Sequence, residues 1–252
     1  MFKKSLIAAA VLAAATTAAA ADVTVYGKAD VGLDFTSVKN GVESGRTNTL
    51  HELNGQTAGS RWGLKGVEDL GNGLKVGFIL ESGFNVDDGT SAQGGRLFGR
   101  EAAVYLQSDY GRLMFGRMGS LASGFPDTGL FGGNISPFAV CFGEVPGHRF
   151  IFAGNFSPLD NAVTYITPSF AGFKVHLQYS MNRDTKNALT AGERENTHRV
   201  DRFWSVGLSY NSASTEWNTV IDQTKYAKQT PNNTHDSLVI STGVRPNLGP
   251  AI

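Results

Sequence analysis

The stretch SRWGLKGVEDLGNGLKVGFILESGF, Ser60 to Phe84, decides the fold. Its first arm alternates Arg61, Gly63 and Lys65 with Trp62 and Leu64, and its second alternates Lys75 and Gly77 with Leu74, Val76 and Phe78. A period of two puts the two sets on opposite faces of a strand. Between the arms stand Glu68, Asp69, Gly71, Asn72 and Gly73, the polar and conformationally permissive residues that a tight reversal needs. The stretch therefore reads as one antiparallel hairpin with an apolar face and a polar face, each arm long enough to cross a bilayer as a tilted strand of about nine to eleven residues.

Working outward, the N-terminus tells where such a hairpin goes. Lys3 and Lys4 precede an apolar run from Leu6 to Ala15, followed by small residues ending at Ala19, Ala20 and Ala21. Residues 1–21 thus read as a secretory signal peptide, with residues 22–252 as the mature domain. The run is too short for a bilayer span, and nothing later approaches twenty consecutive apolar residues.

The mature chain is rich in glycine, 31 in all, with 10% aromatics and a formal net charge of zero. A nucleic-acid partner would call for a strongly basic face, so that class is excluded. The single Cys141 rules out an intramolecular disulfide and reads as a small buried hydrophobe. His51, His148, His176, His198 and His235 are scattered without the spacing of a zinc site, so neither a metal nor another cofactor is expected. His176 reads as a polar side chain on the inner face. Gly71, Gly73 and Gly77 do not make a dinucleotide fingerprint, whose third glycine would fall at position 76 and open a helix.

Alternation recurs along the rest of the chain. Val23 to Phe35 carries Val23, Val25, Val31, Leu33 and Phe35 on one parity, and Thr24, Tyr26, Lys28, Asp30 and Asp34 on the other. Phe173, Val175, Leu177 and Tyr179 alternate with Lys174, His176, Gln178 and Ser180, and Trp204, Val206, Leu208 and Tyr210 with Ser205, Gly207 and Ser209. Further strands read at about Arg96 to Gln107, Arg112 to Met118, Asn161 to Thr167, Thr215 to Lys225 and Asp236 to Arg245, ten in all with the hairpin. Short connections, at Glu68 to Gly73, Ser108 to Gly111, Ser169 to Gly172, Asn211 to Ser214 and Pro246 to Pro250, alternate with long ones. The long ones are Ser37 to Gly59, Asn85 to Gly95, Gly119 to Asp160, Asn182 to Val200 and Tyr226 to His235. That asymmetry belongs to outer-membrane barrels, with short periplasmic turns and longer external loops. The fold class read here is all-β, a transmembrane antiparallel up-and-down β-barrel.

Four segments in order carry a resemblance: VTVYGKADVG from Val23, SRWGLKGVEDLGNGLKVGF from Ser60, LFGREAAVYL from Leu97 followed by YGRLMFGR, and DNAVTYITPSFAGF from Asp160. The chain resembles the general diffusion porins of Gram-negative bacteria, those of β-proteobacteria above all. The resemblance implies a homotrimer of barrels of about sixteen strands, set in outer-membrane lipid and lipopolysaccharide. Each barrel would enclose an aqueous channel for ions and small hydrophilic solutes. It implies no enzyme. It also implies that the third external loop, here Gly119 to Asp160, folds inward and narrows the channel. A loop of that length without secondary structure is usually functional.

Porin selectivity comes from charge and diameter at a wet constriction. By parity the pore-facing basic residues are Lys28, Arg61 and Arg100, with Lys65 and Lys75 on the same face nearer the periplasmic end. Lys28, Arg61 and Arg100 also fall where the family carries pore-lining basic residues. On the loop, Asp127 and Glu144 are the acidic candidates. Pro158 stands where the family often has a further wall arginine and Leu130 where it often has a loop carboxylate, and Arg149 is a candidate substitute for the arginine. Arg117 shares outward parity with Leu113 and Phe115, where a charge facing lipid would cost about 2 to 4 kcal/mol. We therefore read it as paired with Glu101 at a subunit interface, with Asp87 or Asp88 of an adjacent protomer reaching over.

The chain ends at NLGPAI just after the tenth strand, where the family would continue through about six more. It reads as an incomplete porin; the channel is the function expected, with a fragment that does not close or conduct alone as the alternative, and closure as a narrower ten-stranded barrel is not forbidden by strand direction. Two other function classes differ in kind. A barrel enzyme would gather catalytic groups at strand ends, and a secreted adhesin would need a self-contained apolar core.

Overall fold

The computed structural model describes residues 22–39, 45–55, 58–131, 157–187, 195–227 and 236–246. The signal segment, Cys141, Glu144, Arg149, His148, His235 and the turn 247–250 lie outside them. Twelve strands are present: β1 (Asp22–Lys28), β2 (Val31–Lys39), β3 (Arg46–Asn54), β4 (Arg61–Asp69), β5 (Lys75–Gly83), β6 (Glu101–Ser108), β7 (Gly111–Gly119), β8 (Pro158–Ile166), β9 (Phe173–Ser180), β10 (Arg202–Asn211), β11 (Thr215–Lys225) and β12 (Ser237–Pro246). Ten of them form a single antiparallel sheet in the order β1-β4-β5-β6-β7-β8-β9-β10-β11-β12, while β2 and β3 pair with each other. From β4 to β12 every strand pairs with its sequence neighbour, the up-and-down connectivity that the alternating turn lengths imply. Among the described residues β1 and β12 do not pair with each other, so the sheet has two open edges.

The defining hairpin forms as read. Trp62 pairs with Ser82, Leu64 with Leu80 and Asp69 with Lys75. Its turn closes through Leu70 N–H to Leu74 O at 2.8 Å. Asn72 takes φ 52° there, between Gly71 and Gly73 in the same left-handed region.

Three expectations are corrected. The segment read as one strand from Val23 to Phe35 breaks into β1 and β2. Lys28 pairs with Arg61 but Val31 pairs with Asn54, so residues 29–30 face residues 55–60. Asp30 fills that mismatch: its amide donates to Ser60 Oγ, its carbonyl accepts from Ser60 and from Gly55 N, and its carboxylate accepts from Ala58 N. Within the supposed loop Ser37 to Gly59, Arg46–Asn54 extends as β3. It lacks an apolar alternation, so its pairing rests on the main-chain ladder to β2 and on contacts such as Ser37 to Asn48 at 2.7 Å. The strand expected from Arg96 starts only at Glu101, and ahead of it Ala92–Gly95 forms a short helical turn, α1, with Gln93 and Gly94 at positive φ.

The two faces of the sheet are inverted relative to a soluble domain. Large apolar side chains stand exposed along the strands, Val25 at 71%, Leu33 at 75% and Ile240 at 66%, with Val104, Phe115, Val175, Leu177 and Val206 among the others. The buried face carries polar groups instead, including Glu81, Glu101, Thr164, His176, Gln178, Ser205, Asn218 and Asp222. Contiguous exposed apolar area on this scale marks contact with another apolar phase. The alternation apolar-out and polar-in is what a membrane barrel wall requires. No helix among the described residues is long and apolar enough to cross a membrane.

Candidate functional site

The inner face gathers its charges in one row. Tyr26, Gly63, Glu81 and Glu101 lie side by side across β1, β4, β5 and β6. Around Glu81 converge two of the basic residues expected on the wall: Arg61 Nε at 3.5 Å and Arg100 Nε at 2.5 Å. Lys28 lies 3.5 Å from Asp30, and the Lys65 ammonium sits 5.4 Å from the centre of the Tyr26 ring. Lys75, at the turn end of β5, pairs with Asp69 across the hairpin at 3.6 Å. A cationic row is thus threaded with its own carboxylates. Glu101, 1% exposed, stands directly opposite Glu81 with one carboxyl oxygen that has no hydrogen-bond partner among the described residues.

Against this face lies the first part of the long loop. Residues 120–131 fold back on themselves: Ser123 N donates to Ser120 O, Gly129 N to Phe125 O, Leu130 N to Leu121 O and Phe131 N to Ser123 O. Leu121, Ala122, Leu130 and Phe131 bury themselves with Val220 of β11. Phe125 lies beneath the Arg100 guanidinium, 4.9 Å away. Asp127 accepts from both terminal nitrogens of Arg112 at 3.1 Å, and Arg112 in turn stacks 3.9 Å over Tyr105. Leu130 packs on the wall beside Gly207 and Val220. Between this segment and strands β6 to β11 remains a cavity of about 740 Å³, bordered by Arg112, Asp127, Lys174, His176, Ser209 and Glu216. His176 lies on the inner face as its parity implies, hydrogen-bonded to Ser209 at 2.9 Å.

The proposed pairing of Arg117 with Glu101 is overturned. Arg117 pairs with Asp160 and donates to Gly99 O at 2.8 Å, while Glu101 is on the opposite face. The cause is local. The register between β7 and β8 slips at Gly116 and Met118, and Asn161 takes φ 48°, which turns Asp160 to the side of Arg117. Asp160 is a hub that also binds Arg96 at 2.9 Å and accepts from Thr185 N and Oγ1 at 2.8 Å, with Asp184 holding Arg96 at 3.0 Å. Asp87 accepts from Asn54 within the same chain, which ties the β5 to β6 connection to the end of β3. Asp88 accepts from Thr90 Oγ1 and N, and these bonds hold its carboxyl below the ordinary aspartate range. Pro158 opens β8 opposite Gly119, at the mouth of the loop.

Residues that sequence reading missed fall into two kinds. Glu81 shares the parity of Lys75 and Gly77, so its inward placement was readable. The roles of Arg112, Asp160 and Arg96 depend on the returning loop and on the Asn161 bulge, and no alternation signals either.

With this geometry in place, comparison with known proteins is informative. A family model described as Gram-negative porin matches residues 8–251. An outer membrane porin protein of Bordetella pertussis is 42% identical over 198 residues, covering 74% of this chain and 50% of that protein. Outer membrane porin protein 32 of Delftia acidovorans is 35% identical over 187 residues, covering 71% of this chain and 50% of that one. The chain spans about half the length of these curated relatives. Among solved structures, an anion-selective porin from Comamonas acidovorans superposes with a TM-score of 0.50 at 22% identity, over 88% of this chain and 72% of that chain, a likeness of fold.

Proposed function

This chain belongs to the Gram-negative porin family, and we propose that it forms wall of a water-filled channel through the outer membrane, passing ions and small hydrophilic solutes by passive diffusion. The family comprises outer-membrane channel proteins and not enzymes. The observation that carries the reading is the inside-out sheet: exposed apolar residues on one face, and on the other a polar face against which residues 120–131 are folded. The third loop narrows the passage, and Lys28, Arg61 and Arg100 with Lys65 and Lys75 give the opposite wall its cations. Glu81, Glu101 and Asp127 temper that charge, and Glu144 adds to the loop's acidic side.

Single-channel recording in planar bilayers tests this. Stepwise ion current from the purified chain is the expected result, and a folded, inserted protein without current would sink the channel reading for the chain alone. One observation favours a second reading, in which the sheet conducts only once further strands close it: among the described residues β1 and β12 leave their edges unpaired, and an open edge in lipid strands backbone groups without partners. Current that appears only after co-folding with the C-terminal strands of a full-length relative would select that reading.

A further inference from the structure

The loop segment meets the wall at two buried amides, and the two sit on different strands. Gln178 of β9 uses both ends of its side chain: Nε2 donates to Gly119 O at 2.9 Å and to Thr164 Oγ1 at 2.9 Å, and Oε1 accepts from Leu121 N at 3.1 Å. Asn218 of β11 donates through Nδ2 to Leu130 O at 2.7 Å and to Glu216 Oε1 at 3.2 Å. These contacts catch the segment at its start and near its far end, and Leu130 N to Leu121 O at 2.8 Å ties the two ends together. On β10, between the clamps, stands Gly207, where a Cβ would come 2.7 Å from Leu130 Cδ1, so Leu130 seats close against the wall. Inside the segment, Thr128 Oγ1 donates to Gly119 O at 2.7 Å.

We infer that Gln178 and Asn218 are positioning residues that clamp residues 119–131 to β9 and β11 as a rigid part of the wall, and so set the open cross-section of the channel. The inference rests on the channel reading for its consequence, but the clamp itself does not need current to be observed. Both amides are buried, Gln178 at 3% and Asn218 at 2% exposed. A buried donor or acceptor that loses its partner carries its full desolvation penalty. Releasing Gln178 therefore takes the acceptor from Leu121 N, and releasing Asn218 takes a donor from Leu130 O, and either favours lifting the segment into water.

The test uses the full chain folded in detergent micelles, with hydrogen exchange read by mass spectrometry, and the same preparations recorded in planar bilayers. In Gln178→Met, Asn218→Leu and the double variant, amides of residues 121–131 should exchange about tenfold or more faster, while β9, β10 and β11 keep their protection. Conductance of any open channel should rise in the double variant, and its current should become noisier. Unchanged exchange in the variants, or a segment already unprotected in the wild type, would overturn the clamp. Loss of protection in the strands as well as in the segment would also overturn it, because the amides would then serve the fold as a whole. A protected wild-type segment without ion current leaves the clamp standing and counts against the channel reading alone.

Discussion

Two stretches of the inner face are built from the same alternating pattern and meet opposite surroundings. On β9 to β11, Gln178, Gly207, Asn218 and Val220 lie sealed beneath residues 119–131. On β1, β4 and β5, Lys28 and Lys75 keep nearly half of their side-chain surface, and Arg61 and Glu81 meet in a charged row. Binary patterning fixed which residues face inward in both places, but it was silent on what lies opposite. Where the loop returns, inward residues behave as a core made of amides, small side chains and apolar caps. Where it touches only Arg100, through Phe125, they form a charged row in which Lys28 and Lys75 keep their water while Glu81 is buried. The difference teaches that in this fold the loop, more than the strand sequence, divides structural from functional positions on a common face.

The comparison breaks most visibly if the covered side loses its apolar cap. Phe131 is fully buried with Leu121, Leu130 and Val220, and Phe131→Ala should cost about 3 to 5 kcal/mol of the local packing free energy. The cost should appear as early unfolding of the segment in a urea titration followed by exchange. A comparable truncation on the uncovered side, Lys75→Ala, should leave that titration unchanged.

A second break concerns the outer face, which both stretches share. Val206 sits midway along β10 and is 40% exposed on the apolar face. If lipid covers it, Val206→Arg should cost about 2 to 4 kcal/mol, measured as reduced folding yield into lipid vesicles. The neighbouring inward change Ser205→Thr should be close to neutral. Equal tolerance at the two positions would mean that the exposed apolar face does not meet lipid.

These contrasts also explain what could be read in advance. Alternation alone placed the strands of the main sheet, because apolar and polar sets repeat at Trp62, Val175 and Val206 as clearly as in any solvated sheet. β3 escaped notice because Arg46–Asn54 is polar on both parities. Glu101 was given outward parity because Arg100 was counted as an inward residue of the same strand. The strand begins only at Glu101, which faces inward, and Arg100 reaches Glu81 from just outside it. The Arg117 to Asp160 pair was hidden for a different reason, since one positive φ at Asn161 reverses the phase of β8. Local backbone exceptions and the path of a long loop leave little trace in periodicity, and they placed most of the site's partners.

A smaller effect sharpens the charged side. Glu81 and Glu101 are direct cross-strand neighbours, and like charges so placed repel. Glu101 is buried beside Glu81 with one carboxyl oxygen unpartnered among the described residues, so Glu101→Gln should not lower the urea midpoint. Glu81→Gln should lower it, since it strips Arg61 and Arg100 of their shared carboxylate.

The smallest expected effect lies on the boundary between the two stretches, at the contact of Arg112 with Asp127. The pair is well formed, two nitrogens on one oxygen at 3.1 Å, yet both side chains keep a fifth or more of their surface. Solvent screening then leaves a coupling of about 0.2 to 1 kcal/mol. A double-mutant cycle with Arg112→Met and Asp127→Asn should return a coupling in that range, and it should shrink as salt is raised. The clamp by Gln178 and Asn218 is neutral and buried, so its exchange signature should not move with salt. If instead salt loosened residues 121–131 as strongly as removal of Gln178 does, the loop would be held by its charge at Asp127 and not by the amides behind it. The covered stretch would then differ from the charged one only in degree.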